Sequence, residues 1–259
     1  MKKTKNIYWV LSILMLALFS CSDDNDDCVK LLKKIVETSE KGISETTLLT
    51  YDGNEIVSID GPQRRTDFTY SDGLITKTVM LNKTNQLVET IKYGYLAGEL
   101  VEVESLANYR IKYIYNSDKT VSYERFTIDS RNQEIKELHG VLYFEHENLI
   151  KDERILDNTA ADVLSKYSIS YDYDSKHNPL FNISGYKKLL NYNEVMSSNN
   201  ILLSTVITSV LKDDQIISSA VLYKSSYTYN LDNYPTERVS ETAILADGNT
   251  GYLKTEYFY

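Results

Sequence analysis

The chain has 259 residues, of which 42% are hydrophobic and 25% are charged, and its formal net charge at pH 7 is −9. This composition is typical of a globular protein, and the length suits one domain with a short leader. An acidic surface repels phosphates, so the charge argues against nucleic acid and anionic lipid as partners. The chain has 2 cysteines, too few for a disulfide framework.

The N-terminus has the order of charges and apolar residues that is typical of an export signal. Lys2, Lys3 and Lys5 precede a mostly apolar run of 13 residues, from 7 to 19. A membrane-spanning helix needs roughly 20 residues, so this run predicts a signal peptide over residues 1–20. Its removal takes away three lysines and no carboxylate, so the net charge of −9 becomes −12.

Ser20 and Cys21, at the end of this run, resemble the processing site of bacterial lipoproteins. In those proteins the thiol receives a diacylglycerol, the chain is cleaved before the cysteine, and the new amine is acylated. Three acyl chains hold a protein almost permanently, because each buried CH₂ contributes about 0.8 kcal/mol. The resemblance implies that Cys21 is the lipid attachment site. The alternative is an ordinary cysteine near an ordinary signal cleavage site.

An acidic segment follows over residues 21–27, and it is predicted to be a tether. Its aspartates are Asp23, Asp24, Asp26 and Asp27. They resemble the export signal that brings many Bacteroidota lipoproteins to the cell surface, and closely spaced like charges also favour an extended, solvated chain. Cys28 comes next, either for pairing with another chain or as a small apolar residue packed beneath the following segment.

Residues 28–45 are predicted to contain a short amphipathic helix. Apolar residues recur there at helical spacing, namely Val29, Leu32, Ile35 and Val36. Gly42 is suited to end such a helix. We expect the helix to plug or cap the following domain. The alternative is a helix on the membrane surface, which the narrow apolar stripe without aromatic residues disfavours.

From residue 46 to residue 259 the chain repeats pairs of aromatic residues separated by one position. The pairs are Phe68/Tyr70, Tyr93/Tyr95, Tyr113/Tyr115, Tyr171/Tyr173, Tyr227/Tyr229 and Tyr257/Tyr259. Recurrence every 20–30 residues predicts one hairpin copied along the chain. Tyr143 with Glu145 is interpreted as a decayed copy. The step of 56 residues that ends at Tyr229 is interpreted as two units, one without aromatic residues.

Alternating side chains support the hairpin interpretation. Tyr109, Ile111 and Tyr113 share one face of a predicted strand, with Arg110 and Lys112 on the other face. Strands joined by short loops pair antiparallel, so we expect an all-β antiparallel meander of about 12–16 strands. That number favours a wide β-barrel, closed or nearly closed, over an elongated open meander.

Turns and one long interruption divide the predicted strands. Asp-Gly turn dipeptides begin at Asp52, Asp72 and Asp247. The stretch from 178 to 190, which includes Phe181, Ile183, Tyr186, Leu189 and Leu190, breaks the alternation. It is apolar enough for a cap that fills the mouth of the barrel. The alternative is an inserted loop that builds a binding surface.

The chain contains no motif of a known catalytic chemistry. Gly-x-Ser-x-Gly, a glycine-rich phosphate loop and His-Glu-x-x-His are all absent. His139, His146 and His177 lack the spacing of metal ligands, and Asp172 with Asp174 lacks the other oxygens of a calcium loop. We therefore expect no enzyme activity, no catalytic residue, no metal site and no cofactor. The ligand-binding residues stay unassigned.

The tyrosine pairs with their polar turns, the stretches 178–186 and 227–236 and the C-terminal Tyr257-Phe258-Tyr259 resemble a family of Bacteroidota lipoproteins of unknown function. That family is described as having a porin-like fold. The resemblance covers residues 46–259 and implies a β-barrel displayed outside the bilayer. A weaker resemblance links the spacing to the tyrosine-aspartate repeats of Rhs-type proteins, although the Tyr-Asp and Gly positions are irregular here.

Charged residues on the predicted outer face disfavour a barrel that spans the membrane. Each Arg or Lys at the middle of a bilayer costs roughly 2–4 kcal/mol. The charges predicted to point outward are Glu102, Glu104, Arg110, Lys112, Lys151, Asp152 and Glu153. We expect a water-exposed barrel with a tyrosine-lined interior, held at the membrane through its lipid.

Two functions fit this sequence. The first is an outer-membrane-anchored, surface-exposed lipoprotein that binds a glycan or another small molecule on its tyrosines. The alternative is a structural or adhesive cell-surface protein without a small-molecule ligand, in which the tyrosines are packing pairs. The 22 tyrosines are spread over every repeat. Clustered, solvent-facing rings in a concavity would favour the first function, and packed rings would favour the second.

Overall fold

The computed structural model describes residues 30–105, 108–131, 133–157, 163–190, 197–213, 215–244 and 250–259. The signal peptide, Cys21, the acidic tether, Cys28 and the turn at Asp247 lie outside these ranges. The statements about them therefore stay predictions. The folded unit runs from Leu31 to Tyr259.

The described residues form sixteen β-strands and one short 3₁₀ helix. In chain order the strands are β1 (Lys34–Ser39), β2 (Ser44–Asp52), β3 (Glu55–Asp60), β4 (Arg64–Ser71), β5 (Leu74–Asn82), β6 (Val88–Leu96), β7 (Glu99–Ser105), β8 (Tyr109–Tyr115), β9 (Val121–Ile128), β10 (Glu134–Glu145), β11 (Asn148–Leu156), β12 (Val163–Tyr173), β13 (Ile201–Lys212), β14 (Gln215–Tyr229), β15 (Pro235–Ile244) and β16 (Thr250–Phe258). The 3₁₀ helix, Tyr186–Lys188, lies between β12 and β13.

The strands form one closed barrel. Each strand pairs antiparallel with its neighbours in sequence, and β1 pairs with β16 to complete the circle. In this closing pair Lys34 lies opposite Phe258 and Ser39 lies opposite Leu253. The prediction of an all-β, closed antiparallel barrel is confirmed, at the upper end of the expected number of strands. The open meander is wrong.

The helix predicted within residues 28–45 is wrong over its described part. The chain there forms β1 and the start of β2. Because β1 is hydrogen-bonded to both β16 and β2, the closed ladder outweighs a weak local preference for helix. The β-branched residues Ile35, Val36 and Thr38 also suit a strand. Gly42 does not end a helix but takes a φ of 74° in the turn between β1 and β2.

Side chains alternate between the interior and the outer surface of the barrel, as the period-two pattern predicts. On β8, Ile111 and Tyr113 point inward and are 7% and 4% exposed. Arg110 and Lys112 point outward, and both contact the carboxylate of Glu134 on the outer surface. The sequence pattern therefore predicted correctly which face of this strand is buried.

One of the charges predicted to lie on the outer surface lies inside the barrel. Asp152 is 1% exposed and lies opposite the inward residues Leu142 and Ile169. Its neighbours Lys151 and Glu153 do point outward and contact each other at 2.8 Å. Successive side chains of a strand point to opposite faces, so three consecutive outward charges were incompatible with a regular strand.

The barrel has two ends, because consecutive turns of a meander alternate between them. One end carries the turns at Gly53, Gly73 and Gly98. The chain also enters the barrel there, where the backbone nitrogen of Lys33 donates to the carbonyl oxygen of Phe258 at 2.7 Å. We term this the capped end, and the other the opposite end.

At six hairpins of the capped end the strand pairing shifts by one residue just before an inward aromatic residue. These aromatic residues are Tyr51, Tyr70, Tyr95, Phe144, Tyr173 and Tyr229. Such a β-bulge leaves backbone groups of the return strand without a partner in the ladder. The recurring aromatic residue therefore marks a bulged hairpin.

Tyrosine hydroxyls reach backbone groups in the preceding hairpin. Tyr95 donates to the carbonyl oxygen of Ile75 at 2.8 Å, and Tyr173 donates to that of Leu149 at 2.6 Å. Bonds of the same kind join Tyr227 to Ile201, Tyr259 to Pro235 and Tyr51 to Leu32. Tyrosine recurs in the sequence because its hydroxyl ties one hairpin to the next, which phenylalanine cannot do.

Two details of the predicted repeat are wrong. Tyr143 is not a decayed copy, because it points outward and donates to Glu153 at 3.1 Å, while Phe144 takes the inward position. The long step that ends at Tyr229 is not two units. Within its described residues it contains β13 and β14 and an insertion over residues 174–200, and the insertion supplies the extra length.

The insertion packs into the capped end. We term its described residues, 174–190 and 197–200, the cap. Ile183, Tyr186 and Leu189 are 3%, 5% and 0% exposed and belong to the hydrophobic core. The prediction of a cap that fills the mouth of the barrel is thereby confirmed.

Contacts with several hairpins hold the cap in place. The backbone nitrogen of Ser184 donates to the carbonyl oxygen of Asn54 at 2.9 Å, and Lys188 contacts Glu99 at 3.0 Å. Gly185 has a φ of 69°, and a Cβ there would lie 2.7 Å from the carbonyl oxygen of Gly73. The close approach of the two backbones therefore requires glycine at this position.

Candidate functional site: a cavity inside the barrel

A cavity of about 400 Å³ lies inside the barrel against the cap. This volume is within the range of small-molecule sites, which is about 300–1,000 Å³. Strands β5 to β11 form its walls, and the cap contributes Leu190. The lining residues are Met80, Glu89, Ile91, Tyr93, Val103, Tyr109, Ile111, Tyr123, Arg125, Leu138, Arg154 and Leu190.

The cavity extends from the cap toward the opposite end. Met80, Glu89 and Tyr109 lie near the ends of β5, β6 and β8 that are distant from the cap. Leu190 is held at the other side, where its carbonyl oxygen accepts a hydrogen bond from the hydroxyl of Tyr113 at 3.3 Å. The cap therefore closes the cavity at the capped end.

Half of the lining residues are apolar, and the other half are tyrosines and charged residues. Ile91, Val103 and Ile111 are 4%, 5% and 7% exposed and lie on neighbouring strands. Met80 and Leu138 extend this surface on β5 and β10. In a ligand site the apolar part of such a wall takes up the apolar body of the ligand, and the polar groups determine orientation and specificity.

Arg154 of the lining, which is half-buried, forms an ion pair with the buried Asp152. Asp152 accepts hydrogen bonds from the Tyr123 hydroxyl and from Nε of Arg154, each at 2.8 Å, and Nη2 of Arg154 also binds it. Burial disfavours the charge on Arg154, but the hydrogen bonds and charge of Asp152 outweigh burial and raise the pKa of Arg154 above its ordinary value. Burial and then the charge of Asp152 raise the pKa of Tyr123. The three groups thus form one fixed unit.

A second arginine of the lining is also paired. Nη1 of Arg125 donates to Glu137 at 2.6 Å, and the guanidinium carbon lies 4.7 Å from the ring centroid of Tyr109. The ion pair and the cation–π contact fix the direction of Arg125.

Glu89 is the remaining charged residue of the lining. It accepts a hydrogen bond from the Ser105 hydroxyl at 2.8 Å. Within the described ranges it forms no ion pair. Burial, followed by the negative charge of Glu89, raises the pKa of the neighbouring Tyr109, and Arg125 partly opposes this effect. Glu89 and Tyr109 therefore lie close together at the side of the cavity that is distant from the cap.

The tyrosine pairs are packed rather than presented as a binding surface. Among the described tyrosines Tyr115 is the most exposed, at 40%. The rings of Tyr113 and Tyr123 lie 6.2 Å apart, and those of Tyr227 and Tyr229 lie 6.1 Å apart. Of the two arrangements considered for the tyrosines, the structure has the one in which they pack between strands.

The other residues considered as metal ligands lie in separate places. His139 contacts Asp157 at 2.8 Å on the outer surface, His146 lies in the turn between β10 and β11, and His177 stacks on Tyr234 in the cap region. Asp174 accepts hydrogen bonds from the backbone nitrogens of Lys176 and Asn200. Within the described ranges no group of three or more His, Cys, Asp or Glu is arranged to hold a metal ion.

Sequence reasoning missed the polar groups of the cavity. Glu89, Arg125 and Arg154 are charged residues at inward positions, in phase with Ile91, Tyr123 and Asp152 on the same strands. The signal available in the sequence was the strict alternation of inward and outward side chains, counted from the inward aromatic residues. It would have placed Arg125 inside, because Arg125 is two positions from Tyr123.

Comparison with known proteins bears on the fold. No protein-family model and no curated protein matches the chain. Among solved structures, a porin-like protein from Bacteroides vulgatus ATCC 8482 matches with a TM-score of 0.55 and 14% identity, over 88% of this chain and 98% of that chain. A porin-like protein from Bacteroides uniformis ATCC 8492 matches over 88% of this chain and 96% of that chain, with 11% identity and a TM-score of 0.32.

The first of these similarities defines the class of fold. At 14% identity it shows a shared fold alone, and a score of 0.32 does not bear on the fold at all. The chain is therefore similar in architecture to the porin-like barrel from Bacteroides vulgatus. This agrees with the fold that the sequence resemblance implied. Within the described residues no helix is long and apolar enough to cross a membrane.

Proposed function

We propose that this protein is a surface-exposed lipoprotein, anchored in the outer membrane through Cys21, whose barrel binds a small ligand in the interior cavity. The observation that carries the proposal is the cavity itself. It has a volume of about 400 Å³, and six apolar residues, three tyrosines and three charged residues line it. The proposed activity is binding, without catalysis, cofactor or metal. A glycan or another small molecule is the ligand class that the tyrosines first suggested.

The outer surface of the barrel supports attachment through a lipid rather than insertion of the barrel. Arg110 contacts Glu102, Glu104 and Glu134 there at 2.5–3.0 Å. Such a charged network is costly in hydrocarbon and inexpensive in water. The porin-like protein from Bacteroides vulgatus has a barrel of the same class, which supports an association with the outer membrane.

The chain enters the barrel at the capped end, where the backbone nitrogen of Lys33 donates to the carbonyl oxygen of Phe258. Eleven residues lie between Cys21 and Lys33, so a short tether would connect an anchor at Cys21 to the first strand.

A structural or adhesive cell-surface protein is the second candidate. The hydroxyl bonds from Tyr95 and Tyr173 to backbone carbonyls favour it, since they give the recurring tyrosines a role without any ligand. This candidate accounts for the recurrence of the tyrosines but assigns no function to the cavity.

Binding in the cavity can be tested with a glycan array and a small-molecule screen on the processed protein. Val103 lines the cavity and is 5% exposed, whereas Val57 is 44% exposed on the outer surface. We expect V103F to lose the ligands that the wild type binds and the matched control V57F to keep them. Binding that survives in V103F would refute the cavity as the site, and absence of any binding by the wild type would favour the second candidate.

The anchor and the location need a separate test. We expect mass spectrometry of the processed chain to find an acylated N-terminal Cys21, and external protease to cleave the protein on intact cells. The variant C21A should carry no acyl groups. An unmodified N-terminus would refute the lipid anchor, and cleavage only after lysis would place the protein in the periplasm.

A further inference from the structure

The charges around the cavity are unevenly matched. Asp152 compensates Arg154, and Glu137 compensates Arg125. Glu89 has a hydrogen bond from Ser105 and no ion pair among the described residues. When the partners Asp152 and Glu137 are counted with the lining, one carboxylate is in excess, and the one without an ionic partner lies on the side of the cavity that is distant from the cap.

Glu89 has unused hydrogen-bonding capacity. An ionised carboxylate accepts about four hydrogen bonds. Among the described residues, Glu89 accepts the one from the Ser105 hydroxyl. The hydroxyl of Tyr109, which lines the same part of the cavity, has no hydrogen bond to a described residue. One acceptor and one hydroxyl are thus available to the same ligand group.

The side chains around Glu89 determine which ligand body fits beside the group that binds the carboxylate. Ile91 lies two positions further along β6 on the same face, and Ile111 lies across β7 on β8. A ligand group that neutralised Glu89 would place its remaining atoms against these apolar side chains. Enclosing an uncompensated carboxylate is costly, so a neutral or anionic ligand here would leave that cost in place.

Resting on the proposed function, we propose that the ligand is a small organic cation. Its ammonium group binds Glu89 and the Tyr109 hydroxyl, and its apolar body lies against Ile91, Val103 and Ile111. The two arginines, already held by Asp152 and Glu137, determine the shape of the cavity rather than recruit an anion.

Three probes with the same indole body test this inference. Tryptamine carries an ammonium group, tryptophol a neutral hydroxyl and indole-3-propionate a carboxylate. Binding is measured by isothermal titration calorimetry on the full, processed chain in phosphatidylcholine nanodiscs, with empty nanodiscs as the blank. We expect tryptamine to bind about tenfold or more tightly than tryptophol, since a hydrogen bond to a charged group is stronger than a neutral one. Indole-3-propionate should bind most weakly.

A matched pair of variants identifies the carboxylate. E89Q removes the charge and keeps the shape, and we expect it to bind tryptamine and tryptophol about equally. Glu145, the last residue of β10 at the capped end, has a side chain that is 63% exposed, so E145Q should keep the wild-type preference. The probe series on the wild type gives an answer even without the variants.

The possible outcomes separate this inference from the proposed function. Equal or tighter binding of tryptophol or indole-3-propionate, abolished by V103F, would overturn the ammonium proposal and leave the cavity as a binding site. A tryptamine preference that persists in E89Q would also overturn it. Absence of binding by all three probes at millimolar concentration would overturn the ammonium proposal, and the screen with V103F and V57F would then decide the proposed function separately.

Discussion

Inward-facing residues are more buried at the capped end of the barrel than at the opposite end. On β14, Tyr227 and Tyr229 lie near the capped end, are half-buried and have bonded hydroxyls. Val221 and Ile217 occupy the same phase toward the opposite end, where they are 45% and 73% exposed. The same alternation along one strand thus leads to packing at one end and to exposure at the other.

Alternation therefore determines a strand and its inward face, whereas burial also requires neighbouring residues against which a side chain packs. At the capped end the cap and the tyrosine hydroxyls supply that partner, and Ile56, Ile75 and Leu100 are fully buried there. Farther from the cap, space remains between the walls, and the cavity forms. Stability and the proposed binding function are therefore concentrated in different parts of one barrel.

We expect alkaline pH to cause the largest loss of folding stability, through the tyrosines of the capped end. Burial raises the pKa of Tyr70 and of Tyr171 to about 12, from a value of 10.0. Above pH 10.0 the unfolded chain loses phenolic protons that the folded chain keeps, so stability is intact below pH 10.0 and falls as the pH rises toward about 12.

We expect ultraviolet absorbance to show tyrosine ionisation delayed beyond pH 10.0 and coincident with unfolding measured by circular dichroism. Gradual ionisation of most tyrosines near their ordinary pKa, in a chain that stays folded, would contradict the packed arrangement.

Leu189 and Ile217 give a sharp contrast between the two ends. Leu189 of the cap is 0% exposed, and Ile217 near the opposite end is 73% exposed. We expect L189A to lower the free energy of unfolding by about 2–5 kcal/mol, because it creates a buried cavity. I217A should change it by about 0.5 kcal/mol or less. Urea denaturation measures both, and similar losses would remove the distinction between the ends.

Gly140 tests how tightly the wall beside the cavity is packed. A Cβ at this position would contact the carbonyl oxygen of Glu153 and would lie 2.6 Å from the Tyr123 ring. We expect G140A to cost about 1–3 kcal/mol and to displace Tyr123. At Gly94, the control, a Cβ would meet nothing nearer than 3.5 Å. Thermal denaturation compares the two, and an unperturbed G140A would show that the wall is loosely packed.

Removal of one hydroxyl should have the smallest effect. Y95F leaves the ring in place and deprives the carbonyl oxygen of Ile75 of its donor. We expect a loss of about 0.5–1.5 kcal/mol in urea denaturation. The hydroxyl of Tyr223 has no hydrogen bond to a described residue, so Y223F should be nearly neutral. A loss in Y223F as large as that in Y95F would contradict the role assigned to the hydroxyl bonds.

The sequence predicted the barrel better than it predicted the site. Alternation in Tyr109, Ile111 and Tyr113 identified a strand and its buried face, because that signal is local. The strand at Ile35 was missed, because its state depends on pairing with a segment more than 200 residues away. The inward position of Phe144 was not predicted, because a bulge shifts the inward phase of β10 by one residue.

The cavity depends on distant pairings in the same way. Asp152, Arg154 and Tyr123 come together only when β9, β10 and β11 pair in the observed register. Charged side chains generally lie in water, so the composition did not predict a charge inside the barrel. Volume left unfilled between side chains cannot be deduced from a pattern of residue types.

Hydrogen exchange with and without tryptamine tests most directly the claim that the capped end is scaffold and the cavity is the site. The account predicts added protection in the segments of β6, β7 and β8 around Glu89, Val103 and Tyr109. It predicts no change at the capped-end turns beside Tyr70, Tyr95 and Tyr173. Protection confined to those turns, with β6 to β8 unchanged, would contradict it.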